Sequence, residues 1–334
     1  MAETPQPQRR SPWSWILPTV LAAVLLYYSL RGVAWGNVWN TIAGAHWKWL
    51  AAATLVTTAS QFLRSLRWRV LLNAEENLDV ATVFWATMAG YLGNNFLPFR
   101  AGELVRTFII SSRSSLTRTY VLTTAMSERV MDAIALVLWS GLVLMGIHPK
   151  PAGLDRLSRI LAVGAAAGLV AVIVLPHTGD LCARVIRRFP LPAGLRDRLL
   201  HLTEQVMMGL RTFHDVKRFL VFTAFTAIIW SLDAATVVVL ANGLDMTVTF
   251  PVAALLICSL GLASAVPSTP GYVGIFQFVA VQVLPPFGIS PDKAIALLLV
   301  MQALNYLVVL AFGLPGLYRF KGWRTAVAQS AATP

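Results

Sequence analysis

The chain has 334 residues, of which 57% are hydrophobic and 13% charged, and its mean hydropathy is +0.66. This composition excludes an ordinary soluble globular protein, whose charged share is about 25%. Long apolar runs without a roughly ten-residue alternation exclude an outer-membrane barrel. With a net charge of +12 but no fold signature of a nucleic-acid binder, the expected partner is a bilayer and not a nucleic acid.

Side chains that would hold a metal ion or form disulfides are sparse. Cys182 and Cys258 are the only cysteines and lie far apart in the sequence, and the five histidines show no ligand spacing. We therefore expect no metal site, no cofactor and no disulfide framework.

The apolar segments predict an all-α polytopic membrane protein with about six full transmembrane helices. The first segment follows Arg9 and Arg10, and its length and the lack of a small-residue cleavage site favour a retained helix over a cleaved signal peptide. The predicted spanning helices lie near residues 13–31, 47–66, 119–147, 158–176, 217–241 and 293–315.

Two further apolar stretches are interrupted, one in each half of the chain. Residues 80–112 contain Asn94-Asn95-Phe96-Leu97-Pro98-Phe99-Arg100-Ala101-Gly102-Glu103, and residues 251–284 contain Pro267-Ser268-Thr269-Pro270-Gly271-Tyr272-Val273-Gly274. The parts beside the second break are shorter than the roughly 20 residues that span a bilayer, so each stretch is predicted to be a re-entrant helical hairpin. Irregular backbone persists at membrane depth only where protein buries it or where it lines a wet cavity. Paired breaks of this kind are typical of transport sites.

Basic residues set the orientation of these segments. With both stretches drawn as hairpins, the cluster Arg64, Arg67 and Arg69, the basic connection 177–216 and both termini lie on the cytoplasmic side, as the positive-inside rule requires. The connection also carries apolar residues at helical spacing, which is typical of an interfacial amphipathic helix that attracts anionic headgroups. The alternative is that its basic residues only set topology.

This topology divides one membrane domain of residues 1–334 into two halves. The first repeat, 13–147, and the second, 158–318, run in opposite directions, which predicts inverted-topology repeats. The tips of the two hairpins are then expected to meet at mid-membrane.

Ionisable side chains at membrane depth are costly unless they are paired or hydrated. Glu128 and Asp132 lie one turn apart on one face of their helix, with Arg129 about 100° around it. Charged and amide side chains also flank the two breaks. They are expected to surround a polar cavity, and the alternatives are an ion-pair network that holds the hairpin and hydrogen bonds to freed backbone groups or between helices. The candidate substrate-binding residues are Asn94, Asn95, Arg100, Glu103, Arg106, Glu128, Arg129, Asp132, Asp233, Ser268, Thr269 and Gln277.

Three strings make the chain resemble the lysylphosphatidylglycerol synthase transmembrane-region family over about residues 13–318. They are Asn94-Asn95-x-x-Pro98-x-Arg100-x-Gly102-Glu103 with its flanks, Ser127-Glu128-Arg129-Val130-Met131-Asp132, and the second break with the Gly274-Ile275-Phe276 that follows it. That family includes the flippase half of bacterial multiple peptide resistance factors. One departure is Gln277, which stands where members often have Glu.

The resemblance implies movement of a polar lipid headgroup across the membrane. The residues that match the family are candidates for the path of the headgroup. The resemblance does not imply aminoacyl transfer, because that chemistry belongs to a separate soluble domain that the chain is expected to lack. Stand-alone members are often associated with polyprenyl-linked sugars, glycolipids or hopanoids, so the substrate class stays open. The matching residues are Arg100, Glu103, Arg106, Glu128 and Asp132.

The sequence therefore predicts a lipid flippase or transporter of the bacterial inner (plasma) membrane that is not an enzyme. Its expected partners are membrane lipids: phospholipid, glycolipid or polyprenyl-linked lipid. Two alternatives are an accessory protein of a glycosyltransferase and an intramembrane transferase or hydrolase that uses Glu128 and Asp132 as acid and base. For the last, the sequence offers no nucleophile elbow, metal set or phosphate loop. Two further partners stay possible on the sequence alone: a second copy of the chain, in a homo-oligomer, and a glycosyltransferase.

Overall fold

The computed structural model describes residues 13–96, 101–146, 215–264 and 270–320, together with scattered helical positions between 184 and 203. The predicted helix 158–176 lies outside the described residues, as do nearly all of the basic connection and both termini. Within the described ranges the chain forms helices joined by short turns. Numbered in chain order, they are α1 (Trp13–Leu30), α2 (Trp35–Ala43), α3 (Trp47–Leu72), α4 (Val80–Phe96), α5 (Gly102–Ser111), α6 (Arg118–Gly146), α7 (Val216–Gly243), α8 (Phe250–Ala263), α9 (Ile275–Val283) and α10 (Pro291–Arg319).

The longest apolar helices confirm a multi-helix membrane protein. Helices α6, α7 and α10 have 28 or 29 residues and are apolar enough to cross a bilayer. Local signals fix the starts of two of them: Asp215 accepts the Lys217 N–H at 2.9 Å before α7, and Ser290 accepts the Lys293 N–H at 3.4 Å before α10. Large apolar side chains, among them Leu55 and Leu142, stay exposed on the outside of the bundle, as a lipid-facing surface requires.

Two elements differ from the sequence prediction. Helix α3 was predicted to end near residue 66 but continues to Leu72, because Trp68, Leu71 and Leu72 are buried in the core. Helix α2 was not predicted; it is a short helix with one buried apolar residue, Val38. Asp292 at the start of α10 holds it in place by accepting the Ala34 N–H and the side-chain amide of Asn37, both at 3.0 Å.

The first interrupted stretch forms a helix–break–helix unit in which α4 packs against α5. Glycines permit this close approach. A Cβ atom added to Gly102 would lie 2.6 Å from the Asn94 backbone nitrogen, and one added to Gly93 would lie 2.8 Å from the Gly102 Cα. Real Cβ atoms do not come so close to backbone, so these positions require glycine.

The second interrupted stretch has the same pattern, with α8 packed against α9. A single 3-10 turn, Pro270–Tyr272, precedes α9, and Gly271 and Gly274 have φ angles of +72° and +94°. Such left-handed conformations cost glycine little. Both stretches are thus helical hairpins; their re-entrant placement in the bilayer stays a prediction.

Helices of the two halves pack on each other. The most extensive helix–helix contact in the described ranges is between α3 and α7. Helix α4 of the first half packs on α10 of the second, and α8 of the second half packs on α6 of the first. Helix α4 also contacts the Pro270–Tyr272 turn, which brings the two breaks together. The main apolar core lies among α7, α8 and α10.

Candidate functional site

A closed ring of alternating charges lies inside the bundle beside the first break. Arginine and carboxylate side chains from α3, α5 and α6 alternate around it, each contacting two neighbours of opposite sign. Three positive and three negative groups sum to zero, which lowers the cost of burying them at membrane depth. In order around the ring, its members are Arg67, Glu128, Arg106, Glu103, Arg129 and Asp132.

Glu128 lies at the most buried point of this charge ring. Its carboxylate accepts from Arg67 Nη2 at 2.8 Å through one oxygen and from Arg106 Nη2 at 2.9 Å through the other. Arg67 also donates from Nη1 and Nη2 to Asp132, at 2.5 and 2.9 Å. The two-pronged contact is the strong geometry for an arginine–carboxylate pair, so this side of the ring is rigid.

The other side of the charge ring is nearer to open space. Glu103 accepts from Arg106 Nε at 2.6 Å and from Arg129 Nη2 at 2.8 Å. Arg129 closes the ring with a longer contact of 3.9 Å to Asp132, and its side chain is 30% exposed, whereas those of Arg67 and Glu128 are fully buried. Arg129 is therefore the ring member best placed to meet a ligand.

Aromatic side chains cover the buried arginines. The Arg106 guanidinium lies 4.3 Å from the centre of the Trp68 ring, and that of Arg67 lies 5.0 Å from the Phe222 ring. Cations over ring faces are attracted to them. The packing excludes water from these two arginines and fixes them in a structural position.

A cavity of about 290 Å³ lies next to the charge ring, and both breaks contribute to its wall. Asn94, Asn95 and Glu103 come from the first interrupted stretch, and Gly271 and Tyr272 from the second. Helices α3, α6, α7 and α10 supply the rest of the polar wall. A concave site with a few converging polar groups is the usual form of a small-molecule site, at about 300–1,000 Å³.

A second ion pair, separate from the charge ring, also lines the cavity. The Arg64 guanidinium of α3 contacts the Asp233 carboxylate of α7, which also accepts from Ser60 Oγ at 2.6 Å. Arg64 lies 5.2 Å from the centre of the Trp230 ring. The pair is partly exposed to the cavity and bridges the two halves of the chain.

Amides and a tyrosine hold the second break against α10. Gln302 Nε2 and Tyr306 OH both donate to the Gly271 carbonyl, at 3.3 and 2.9 Å. Gln277 donates from Nε2 to Gln302 Oε1 at 3.0 Å and accepts the Gly274 N–H at 2.8 Å. These bonds fix the turn that forms one wall of the cavity.

Removing one of these bonds is expected to have a modest effect. Tyr306→Phe removes the hydroxyl donor to Gly271 but keeps the ring, so we expect a loss of about 1 kcal/mol of stability. Thermal unfolding in detergent micelles measures it, with Tyr27→Phe, an exposed tyrosine on α1, as the matched control. A loss no larger than that of the control would show that the bond does not hold the turn.

The structure separates the predicted site residues into groups. Among them, the cavity is lined by Asn94, Asn95, Glu103, Arg129 and Asp233. Four other predicted residues belong to the charge ring or bind the turn at the second break, and they do not line the cavity: Arg106, Glu128, Asp132 and Gln277. Three positions lie outside the described residues: Arg100, Ser268 and Thr269.

Sequence reasoning missed two arginines of the site. Arg64 and Arg67 were assigned to a cytoplasmic cluster by the positive-inside rule, but both side chains are paired within the bundle. Their spacing, three residues apart on a helix whose apolar pattern continues to Leu72, is the signal that places both on one inward face. No group of three potential metal ligands was found among the described residues.

The chain matches one protein family and a distant relative. The family described as lysylphosphatidylglycerol synthase TM region matches residues 15–313. Glycosyltransferase AglD of Haloferax volcanii is 26% identical over 359 aligned positions, which cover 95% of this chain and 55% of that protein. The chain thus spans about half the length of this relative. No solved structure matches the chain significantly.

Proposed function

Because the chain belongs to the lysylphosphatidylglycerol synthase transmembrane-region family, we propose that it is a flippase-type transporter that moves the polar headgroup of a lipid across the membrane. The observation that carries this proposal is the cavity to which both interrupted stretches contribute. Interrupted helices that meet at one polar cavity are the usual architecture of a membrane transport site.

The size of the cavity supports transport of the headgroup alone. About 290 Å³ lies at the lower end of the range of small-molecule sites, about 300–1,000 Å³, which suits one headgroup and not two acyl chains. The acyl chains stay in the surrounding lipid, where they lose no apolar contact. The protein then lowers only the cost of taking a polar group through hydrocarbon, which is the main barrier to spontaneous exchange.

Reciprocal contacts support inverted repeats. In inverted repeats, α3, α4 and α6 of the first half would correspond to α7, α8 and α10 of the second. A two-fold relation between the halves would then turn a contact between α4 and α10 into a contact between α8 and α6. Both contacts are present. Helices α3 and α7, which would exchange places under this relation, also contact each other. Rocking of one repeat against the other would open the cavity to each side in turn.

The charges divide into two roles in this mechanism. The buried side of the charge ring, around Glu128, holds the first hairpin against α3 and α6. Arg129 and the Arg64–Asp233 pair face the cavity and contact the headgroup. Because Arg64 and Asp233 come from different halves, rocking would strain their contact.

A transport assay tests the cavity-lining charges. Purified protein in liposomes that contain phospholipid and glucosyl lipid probes, each with a fluorescent short acyl chain, is exposed to a membrane-impermeant quencher. We expect Asp233→Asn and Arg129→Gln to lower the rate at which inner-leaflet probe becomes quenched by about tenfold, as for loss of about 1.4 kcal/mol of interaction.

Lys293→Gln is the matched control, because Lys293 is an exposed charge at the start of α10, away from the cavity. It should leave the rate unchanged. Wild-type protein that exchanges no probe faster than liposomes without protein would contradict the proposed function. Unchanged rates in both cavity variants would contradict the site.

The name of the relative favours a second candidate. AglD is named a glycosyltransferase, and this chain covers 55% of it, so the chain would be a membrane accessory of such an enzyme, acting on lipid-linked sugars without transporting them. The candidate predicts that sugar transfer to lipid in membranes falls when the chain is removed. It also predicts that purified protein exchanges no probe in liposomes.

A further inference from the structure

We propose that the part of the headgroup that enters the cavity is a neutral, hydroxyl-rich group of the sugar type, and not a bare phosphate or an ammonium group. This inference rests on the proposed function, because it names the substrate class of the same site. It follows from the charge balance of the cavity wall, its hydrogen-bonding groups and its aromatic faces.

The charged side chains of the wall already neutralise one another. Arg64 is paired with Asp233, and Arg129 with Glu103, so the four charges that line the cavity in the described ranges sum to zero. A headgroup with a net charge would enter without a counter-charge or would have to break one of these pairs. Both routes cost free energy, because these side chains are mostly buried and an unpaired charge there is only partly hydrated, whereas a neutral group needs neither.

Amide side chains supply the remaining polar surface. An amide offers both a donor and an acceptor. Five amide side chains line the cavity, so its wall presents donors and acceptors together: Gln61, Asn94, Asn95, Gln302 and Asn305.

This mixture of acceptors and donors selects among headgroup chemistries. A phosphate group accepts hydrogen bonds, so it would not pair with the amide oxygens of the wall. An ammonium group only donates, so it would not pair with the amide nitrogens. A polar group that loses water without gaining a partner loses its full hydration. Hydroxyl groups donate and accept at once, so a group with several hydroxyls satisfies both kinds of atom.

Aromatic side chains supply the apolar surface that a sugar ring also needs. Tyr272 and Phe276 are stacked in the wall, with ring centroids 4.7 Å apart and planes within 8°. Trp230 and Tyr91 add further rings. A sugar has one face of C–H groups that packs against such surfaces and a rim of hydroxyls that meets the amides.

A selectivity assay tests the inference. Wild-type protein in liposomes is given three probes with the same fluorescent acyl chain: monoglucosyl diacylglycerol, phosphatidic acid, whose headgroup is a bare phosphate, and lysyl-phosphatidylglycerol. We expect the glucosyl probe to exchange at least tenfold faster than either charged probe. Asn95→Leu and, as a second variant, Gln61→Leu should lower its rate about five- to tenfold, as for the loss of a hydrogen-bonding group.

The matched control is Asn40→Leu, which changes an exposed amide on α2 outside the cavity and should not alter the rate. Binding is measured separately as the rise in thermal unfolding temperature that each probe produces in detergent micelles. Selective stabilisation by the glucosyl lipid without exchange would support the inference and contradict the proposed transport. Faster exchange of a charged probe, or equal exchange of all three, would overturn the inference and leave transport standing. Neither exchange nor selective binding would overturn both.

Discussion

Glu128→Gln is expected to lower the free energy of unfolding by about 3–5 kcal/mol, the cost of leaving a buried charge unpaired. Glu128 is fully buried and is the carboxylate that joins Arg67 to Arg106. Without its charge, the ring keeps three arginines against two carboxylates, and the two arginines that Glu128 binds, Arg67 and Arg106, are buried away from water. Thermal unfolding in detergent micelles, with the monodisperse fraction after purification, measures the loss.

A double-mutant cycle separates the ion pair from a general packing defect. Arg106→Gln removes one of the two arginines that Glu128 binds, so the double variant should be at least about 1 kcal/mol more stable than the sum of the single losses predicts. Asp245→Asn is the control: its contact with His46 is mostly exposed and should be worth between about 0 and 1 kcal/mol. Additive losses at Glu128 and Arg106 would show that the ring does not act as a unit.

Gly102→Val is expected to prevent the first hairpin from closing, and with it the folding of the site. A Cβ at this position would lie 2.6 Å from both the backbone nitrogen and the side-chain oxygen of Asn94, and still nearer to the Gly90 carbonyl oxygen. Backbone atoms cannot move aside as a flexible side chain does. We expect the free energy of unfolding to fall by more than the value of about 1–3 kcal/mol that is typical of overpacked cores. The measurement is the amount of aggregated protein or the decrease in unfolding temperature.

Gly36→Ala is the matched control for this substitution. Gly36 lies in α2 with nothing within 4 Å of an added Cβ, and its φ angle is not left-handed. Alanine there should stabilise the helix by about 0.5–1 kcal/mol. If Gly102→Val instead behaved like Gly36→Ala, α4 and α5 would not be in close contact in the folded protein.

Most of the helices and both breaks were predictable because they depend on local sequence, whereas the short helix α2 was not predicted. The apolar runs that became α6, α7 and α10, and the interruptions after Asn95 and before Gly271, are visible in short windows. The ion pairs were not, because their partners are distant: Asp233 is 169 residues from Arg64, and Glu128 is 61 residues from Arg67. A sequence shows that Glu128 and Asp132 share a face, but which arginines meet them depends on how α3 packs.

The same limit explains why the site residues separated as they did. Glu103 and Arg106 were predicted on one helical face, and their side chains do contact each other at 2.6 Å. Only tertiary packing, of α5 against α6 and of Trp68 of α3 over Arg106, decides that Glu103 reaches the cavity while Arg106 is covered. Charge and spacing therefore identify the polar centre, and tertiary packing assigns its members to a ligand or to the scaffold.

The closed ring of six charges also constrains how this protein can diverge. Replacing any one member by a neutral residue leaves a neighbouring charge without its partner. Single amino-acid replacements at these positions are therefore selected against. Relatives that have lost one of these charges are expected to have lost an opposite one as well, in a paired replacement such as Arg106 with Glu128. An alignment of distant relatives should thus show the six positions inherited together as a set, while amides of the cavity wall outside the family strings, such as Gln61, vary with the headgroup.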